Sequence, residues 1–259
     1  MNPIDFSNIE GILIDLDGVL YIEDALIPGA AETIEHLKNK GIKCRFLTNT
    51  TIRSKENLYK KMTRLNIPVR REEIISPLGA AAKYLRKQGN PSIRLEVMDE
   101  TKEDFAEFCT TSENPDFIVI GKIGKRWNYD LMNELFSQIM KGSSLIALHK
   151  DRYTMRKKDL HIEFGAFIAA LEYSTGKKAL IMGKPSKTFY KSAIMDININ
   201  QDKILMIGDD LISDIQGAQN AGIKGILVKT GKYRKELLDQ SSVKPDLIIS
   251  SIHQLASLI

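Results

Sequence analysis

The chain has 259 residues, 43% hydrophobic and 27% charged, a balance that fits a water-soluble globular protein of one large or two smaller domains. Its net charge of +4 is too small to imply nucleic acid without a clustered basic face, and no apolar stretch approaches membrane-spanning length. Two distant cysteines, Cys44 and Cys109, and no His cluster at zinc-ligand spacing argue against a disulfide scaffold or a zinc site. Met1–Asp5 lacks the basic and apolar regions of a signal peptide, so a cytoplasmic protein with no membrane partner is the expectation.

Strands and helices alternate along the chain, the pattern of an α/β fold with a parallel sheet. Gly11–Leu16 reads as the first strand, a nearly continuous apolar run that ends in Asp15-Leu16-Asp17-Gly18. Residues two apart on a strand share a face, so Asp15 and Asp17 converge, and two like charges there repel unless a cation or a proton intervenes. Gly18 permits a tight turn, and ligands of open α/β sheets bind at this strand end. The arrangement suggests a hard divalent cation and a carboxylate nucleophile. A lone D-x-D also arises about once by chance in a chain this rich in Asp, so the remaining motifs must carry the case.

Pro28 suits the first turn of a helix running to about Asn39, with Gly41 just past its end. Ile42–Leu47 reads as a second strand, followed by Thr48-Asn49-Thr50-Thr51. Hydroxyl and backbone N–H groups at such a turn can hold phosphate oxygens, and a plain turn with a helix cap explains them as well. Ser54 can cap a helix reaching about Leu65. An Ala-rich helix follows Ser76-Pro77, and Gly89-Asn90-Pro91 breaks it. A second series then has strands near Ile93–Met98, Phe117–Ile120 and Leu145–Leu148, and helices near Glu103–Phe108, Tyr129–Met140 and Phe164–Tyr173. Gly176-Lys177-Lys178 closes it, and a third series opens at Ala179–Met182 and contains strands Lys203–Ile207 and Gly225–Val228.

The chemical groups fall only in the first and last thirds. This favours a discontinuous Rossmann-like core, 1–78 and 181–259, with an α/β domain inserted at 79–180, over one uninterrupted sheet. Lys184 sits in Met182-Gly183-Lys184-Pro185, where Pro185 restricts its neighbour and a fixed ammonium can balance negative charge. Gly208-Asp209-Asp210 follows the apolar Ile204–Ile207, with Asp214 one helical turn beyond Asp210. Strand-end carboxylates can complete an oxygen shell for Mg²⁺, while Asp210 near a helix start is also a favourable N-cap.

The ordered set D-x-D-G, T-N, G-K-P and G-D-D-x-x-x-D resembles the four motifs of the haloacid dehalogenase superfamily of phosphohydrolases. The middle insertion resembles the large α/β cap of the subgroup with nitrophenyl-phosphatase-like and phosphoglycolate-phosphatase-like proteins. Segments Val19–Ala25, Cys44–Thr51, His149–Tyr153, Ala170–Tyr173, Gly183–Ser186 and Met206–Tyr233 resemble the haloacid dehalogenase-like hydrolase domain-containing protein 2 group and its phospholysine phosphohistidine inorganic pyrophosphate phosphatase relatives. The resemblance implies that Asp15 attacks phosphorus to form an aspartyl-phosphate and that Asp17 is the general acid and base. It further implies Mg²⁺ on the carboxylates of Asp15 and Asp209 and the backbone carbonyl of Asp17, with Asp214 orienting that shell and Asp210 supporting it. Thr48, Asn49 and Lys184 would bind the phosphoryl oxygens.

The implied substrate is a small phosphorylated metabolite, and the relatives make a homodimer through the cap an open expectation. Retention of Asp17 favours O–P monoesters over the pyrophosphatase or phosphohistidine/phospholysine alternative. An idle binding or scaffold protein on the same fold is the alternative of another class. Where the relatives have a Gly/Pro-rich turn before the last cap helix, this chain has His161-Ile162-Glu163-Phe164-Gly165. Glu163 and Phe164 there would alter substrate range if the turn faces the site, with His161 a weaker candidate. The run Lys150, Arg152, Arg156, Lys157 and Lys158 reads first as a solvated surface and second as an attractant for phosphorylated substrates. The four histidines form no cluster, and Trp127 is expected to pack in the cap.

Overall fold

The computed structural model describes residues 4–156 and 159–259. The start of the N-terminal segment, Met1–Pro3, and two members of the basic run, Lys157 and Lys158, lie outside the described residues. The chain divides into two compact units, one of Met1–Thr48, Glu56–Ile75 and Lys184–Ile259, the other of Asn49–Lys55 and Ser76–Gly183. No helix among the described residues is long and apolar enough to cross a membrane.

In the first unit, β1 (Gly11–Asp15), β4 (Lys43–Leu47), β5 (Ile74–Ile75), β12 (Ile204–Gly208), β13 (Lys224–Val228) and β14 (Leu247–Ile249) form one parallel sheet. Its order is β14-β13-β12-β1-β4-β5. Connections run outward in both directions from β1 and β12, so the crevice beyond their carboxyl ends is the topological switch point of an α/β sheet. Register fixes what meets there: Ile14 lies opposite Ile207, and Asp15 opposite Leu47. Asp15, Gly208 and Thr48 are therefore delivered to one rim. All of β1 and β12 is buried, which matches their unbroken apolar runs.

A short hairpin, β2 (Tyr21–Ile22) with β3 (Ala25–Leu26), follows the first strand. Helices α1 (Ala30–Asn39), α2 (Lys55–Arg64), α6 (Lys187–Ile197), α7 (Gly217–Asn220) and α8 (Lys235–Gln240) complete the sequence order of this unit. The first helix begins after Gly29 in the left-handed region rather than at Pro28, which lies two residues outside it. Apolar side chains of β1, β4, β12, α1 and α2 make one continuous core.

The second unit has its own parallel sheet, β11-β8-β7-β6, built from β6 (Ile93–Glu96), β7 (Phe117–Ile120), β8 (Ser144–Ala147) and β11 (Leu180–Ile181). It also holds α3 (Pro77–Lys87), α4 (Tyr129–Lys141), α5 (Gly165–Thr175) and an antiparallel hairpin of β9 (Tyr153–Arg156) and β10 (Asp159–Ile162). Ser76 caps α3 by accepting from the Gly79 N–H. Trp127 stacks on Phe167 with ring centroids 4.5 Å apart, beside the core that α4 and α5 build on the sheet.

Three expectations change. The run Ala179–Met182 does not open the third series: β11 pairs in parallel with β8 and belongs to the second unit. The helix expected at Glu103–Phe108 is a 3₁₀ stretch, Asp99–Phe105. His161 and Ile162 do not form a turn, because they pair with Thr154 and Tyr153 in the β9–β10 hairpin.

Candidate active site

β1 ends with Asp15 buried at the sheet rim, and the chain then turns through Gly18 with φ +89°. A Cβ on Gly18 would lie 1.9 Å from Asp209 Oδ2, and one on Gly231, also at positive φ, 2.0 Å from the same oxygen. Both positions therefore require glycine twice over, for backbone conformation and for space. The two approach each other and the same Asp209 oxygen, and Thr230 Oγ1 donates to the Gly18 carbonyl to tie the loops together.

Asp209 follows β12 and is only 2% exposed. Its Oδ2 accepts the Lys232 backbone N–H at 2.8 Å, whereas its buried Oδ1 has no hydrogen-bond partner among the described residues. An orphaned charged oxygen in a buried site is costly. Burial, with Asp15 and Asp214 nearby, pushes the Asp209 carboxyl up to about 8. Carboxylate oxygens of Asp15, Asp209 and Asp214 lie within 4.8 Å of one another. A hard divalent cation fits this donor set, since it would satisfy the Asp209 oxygen and invert the local electrostatics.

Asp214 is in a π-helical turn, Leu211–Gln216, that follows Asp210. Its Oδ2 accepts the backbone N–H groups of Asp209 and Asp210 at 3.1 and 3.0 Å. Its Oδ1 accepts Lys184 Nζ at 2.7 Å, so both oxygens already serve the protein. Asp214 thus acts as a support for the strand end, and burial pushes its carboxyl up to about 6 against the pull of Lys184. Tyr190 donates its hydroxyl to the carbonyls of Ser213 and Asp214, which secures the π-helical turn. Such turns are frequent at functional sites.

Lys184 Nζ also donates to Asp15 Oδ1. Burial alone would favour a neutral amine, but Asp15 and Asp214 together hold Lys184 charged. Asp15 itself is raised, because burial outweighs the share of Lys184 it receives. Its Oδ2 accepts no hydrogen bond among the described residues, so one carboxylate oxygen stays open for chemistry.

Asp17 is exposed just beyond the strand and bridges to Tyr21. Thr48 is buried at the end of β4, and its N–H donates to the Ile75 carbonyl at 3.1 Å. Asp210 caps the π-helical turn, accepting from Ile212 and Ser213 N–H groups at 3.0 and 2.9 Å. Burial would raise its carboxyl, but Lys232 and these two bonds hold it below the usual range. The ordinary capping reading therefore accounts for Asp210.

The structure gathers Asp15, Asp209, Asp214 and Lys184 directly, with Asp17, Thr48 and Asp210 on the adjoining loops of the same unit. Asn49, His161, Glu163 and Phe164 belong to the second unit. There Phe164 is a core residue, 2% exposed, with the His149 ring 4.2 Å away. Glu163 is buried and its Oε2 accepts Lys122 Nζ at 2.6 Å. A charge so paired answers the second unit's own lysine, and Phe164 is not the loop side chain that the expected turn implied. His161 is exposed on β10.

Lys232 escaped the sequence reading. Its ammonium lies 3.4 Å from Asp210 Oδ2, and its N–H holds Asp209. The signal was present, for β13 is followed by Lys229-Thr230-Gly231-Lys232, the same strand-then-polar pattern that marks Asp15 and Asp209.

Comparison with known proteins agrees with this geometry. A family model described as "Haloacid dehalogenase-like hydrolase" matches residues 12–108, and one described as "HAD-hyrolase-like" matches 181–255. The chain is 41% identical over 237 residues to haloacid dehalogenase-like hydrolase domain-containing protein 2 of Rattus norvegicus, covering 92% of this chain and 90% of that protein. It is 33% identical to the Homo sapiens phospholysine phosphohistidine inorganic pyrophosphate phosphatase, covering 98% and 95%. Among solved structures, the 4-nitrophenylphosphatase of Thermotoga maritima superposes with a TM-score of 0.89 at 29% identity, over 97% of this chain and 98% of that one.

Proposed function

Because the chain belongs to the haloacid dehalogenase-like hydrolases, we propose that it is a Mg²⁺-dependent phosphatase of small phosphomonoesters working through an aspartyl-phosphate on Asp15. The observation that carries this reading is the buried, unpartnered Asp209 Oδ1 beside Asp15 and Lys184 at the switch point of the sheet. The carboxylates of Asp15 and Asp209 and the backbone carbonyl of Asp17 would hold the metal. When bound, Mg²⁺ supplies charge neutralisation for the incoming phosphoryl group.

The open oxygen of Asp15 forms a bond to phosphorus while the bond to the leaving oxygen breaks. Asp17 gives that oxygen its proton, and later takes one from the water that cleaves the acyl phosphate, returning Asp15 and releasing phosphate. Lys184 orients Asp15 and offsets part of the burial that raises its carboxyl, and Thr48, Asn49 and Lys184 bind the transferring oxygens. Positioning and charge do most of the work in phosphoryl transfer. The second unit selects the substrate, and a homodimer formed through it is part of the same proposal. Similarity to the human phosphatase of phospholysine, phosphohistidine and pyrophosphate supports a second reading, cleavage of P–N or P–O–P bonds.

p-Nitrophenyl phosphate hydrolysis by wild type and Asp15→Asn, with Mg²⁺ and with a chelator, tests the mechanism. Activity that needs both Mg²⁺ and Asp15 supports it, and chelator-resistant activity or an active Asp15→Asn refutes it. Pyrophosphate and phosphohistidine in the same panel separate the second reading.

A further inference from the structure

Three buried or half-buried cations of the first unit face a carboxylate at close range. Lys184 serves Asp15 and Asp214, Lys38 Nζ lies 2.6 Å from Glu73, and Arg45 Nε lies 2.6 Å from Asp196. Lys61 on α2 differs. Its side chain is 8% exposed, yet the nearest carboxylate, Asp24, is 3.7 Å away and 70% exposed. The ammonium instead donates to the Glu23 carbonyl at 2.5 Å and sits 3.9 Å from the centroid of the Tyr21 ring.

All these groups belong to the β2–β3 hairpin. Glu23, in its two-residue turn, has φ +52°, a left-handed conformation that a non-glycine residue keeps only when its surroundings impose it. Lys61 holds the carbonyl of that very residue. At the other end of the strand, the Tyr21 carbonyl accepts the Gly18 N–H at 2.7 Å, and Tyr21 bridges to Asp17. A continuous path of contacts therefore runs from the Lys61 ammonium through Glu23 and Tyr21 to the backbone carrying Asp17.

We propose that Lys61 is a positioning residue: it pins the β2–β3 hairpin to α2 and so fixes the backbone from which the Asp17 carboxyl reaches the leaving oxygen. The inference rests on the reading of Asp17 as general acid. A neutral side chain at 61 would leave the Glu23 carbonyl and the Tyr21 ring without their cation. The hairpin and the Asp17–Tyr21 bridge would then gain freedom, and misplacing a catalytic group by about 1 Å can cost about 100-fold in rate.

The test exploits leaving groups. p-Nitrophenolate departs as a stable anion, whereas phenolate needs a proton far more, and the two phosphate esters are otherwise alike. At saturating Mg²⁺, where the share of the Asp17 carbonyl in holding the metal does not limit the rate, Lys61→Met should lower kcat/KM for phenyl phosphate about tenfold or more and for p-nitrophenyl phosphate less than about threefold, a fraction of what a general acid supplies. Lys61→Arg, which keeps the cation, should restore both. Amide exchange across residues 16–26 should quicken in Lys61→Met and not in Lys61→Arg. Lys61→Gln is measured beside them, so one misfolded variant does not decide the matter. Equal losses on the two esters, or unchanged exchange in a folded neutral variant, overturn the proposal. Asp17→Asn distinguishes the premises: if it is ester-selective and Lys61→Met is not, the positioning role alone falls. If Asp17→Asn slows both esters alike, the acid reading falls and the positioning role with it.

Discussion

Replacing Asp209 by Asn should stabilise the protein in a chelator, and Mg²⁺ should cancel most of that advantage. Burial beside Asp15 and Asp214 moves the Asp209 carboxyl from 3.8 to about 8. A carboxyl raised on folding favours the folded state only while both states are protonated. Its cost therefore grows as pH climbs from about 4 and levels off above about 8, reaching about 4 kcal/mol at pH 7 for that pair of values. The amide of Asn carries no charge, and its oxygen can still accept the Lys232 N–H that now bonds Oδ2. Its NH₂ group then takes the buried place of Oδ1, which has no hydrogen-bond partner among the described residues, and that cost takes up part of the gain, so about 2–4 kcal/mol should remain. For a chain of this length that is about 4–8 °C in Tm. Mg²⁺ at about 100 times its Kd should add about 2.7 kcal/mol to wild type and little to the variant. Thermal melts of both proteins, with chelator and with Mg²⁺, at pH 5 and pH 7.5, read every arm of this argument. An Asp209→Asn variant that is no more stable in chelator, or gains as much from Mg²⁺ as wild type, would refute it.

Lys184→Met should cost about 3–5 kcal/mol in urea unfolding, because it leaves Asp15 and Asp214 buried without their shared cation; a loss below 1 kcal/mol would mean that the pair is neutral in the folded protein. Gly18→Ala should abolish Mg²⁺-dependent stabilisation, since its Cβ would meet Asp209 Oδ2 and the backbone stands at φ +89°; a variant with wild-type response in a thermal melt contradicts the crowding. Burial pushes the Cys44 thiol up to about 12, so its contribution is intact below the unfolded thiol value and fades as pH rises toward 12. Wild type should accordingly lose about 1–2 kcal/mol more than Cys44→Ala between pH 8 and pH 10; parallel urea curves at the two pH values would show otherwise. Glu163→Gln should destabilise the protein by about 1–3 kcal/mol by stranding the Lys122 ammonium, and a wild-type Tm would show that this pair contributes little.

What could be read from the residues follows from how local each constraint is. Asp15, Lys184 and Asp209 are legible because unbroken apolar runs or a stiff Gly-Lys-Pro mark where buried segments end. Burial of β1 and β12 on every residue is what writes those runs. The sheet that Leu180–Ile181 joins is not local information, for an apolar pair fits either parallel sheet and only long-range pairing with β8 decides. Strands of two residues, such as β2, β3 and β5, are too short to show a period. The pairing of β9 with β10 is not marked in the sequence, where the basic residues read as a solvated surface. Glu163 reads in the sequence as a charge where the relatives have a Gly/Pro-rich turn, and its partner Lys122 stands 41 residues earlier, where no spacing argument reaches.

The same distinction explains why the site is stable only as a set. Asp15, Asp17, Asp209, Asp210 and Asp214 stand against two ammonium groups, Lys184 and Lys232, and the acids outnumber the bases in a place where two of the carboxyls are pushed up to about 6 and about 8. Each acid that can be satisfied internally is: Asp214 by three donors, and Asp210 by two N–H groups and Lys232. What remains among the described residues is one oxygen of Asp15 and one of Asp209, beside the rim that we propose binds a phosphate dianion. Anion would be repelled by that pair and drawn in once a divalent cation covers it. The arrangement therefore calls for cation before phosphate, and phosphate affinity should rise steeply with Mg²⁺ in wild type but only weakly in Asp209→Asn. Calorimetric titration of inorganic phosphate at several Mg²⁺ concentrations reads this coupling. Phosphate that binds wild type equally well in a chelator would show that Lys184 and the backbone donors suffice, and that the excess of carboxylates has another cause.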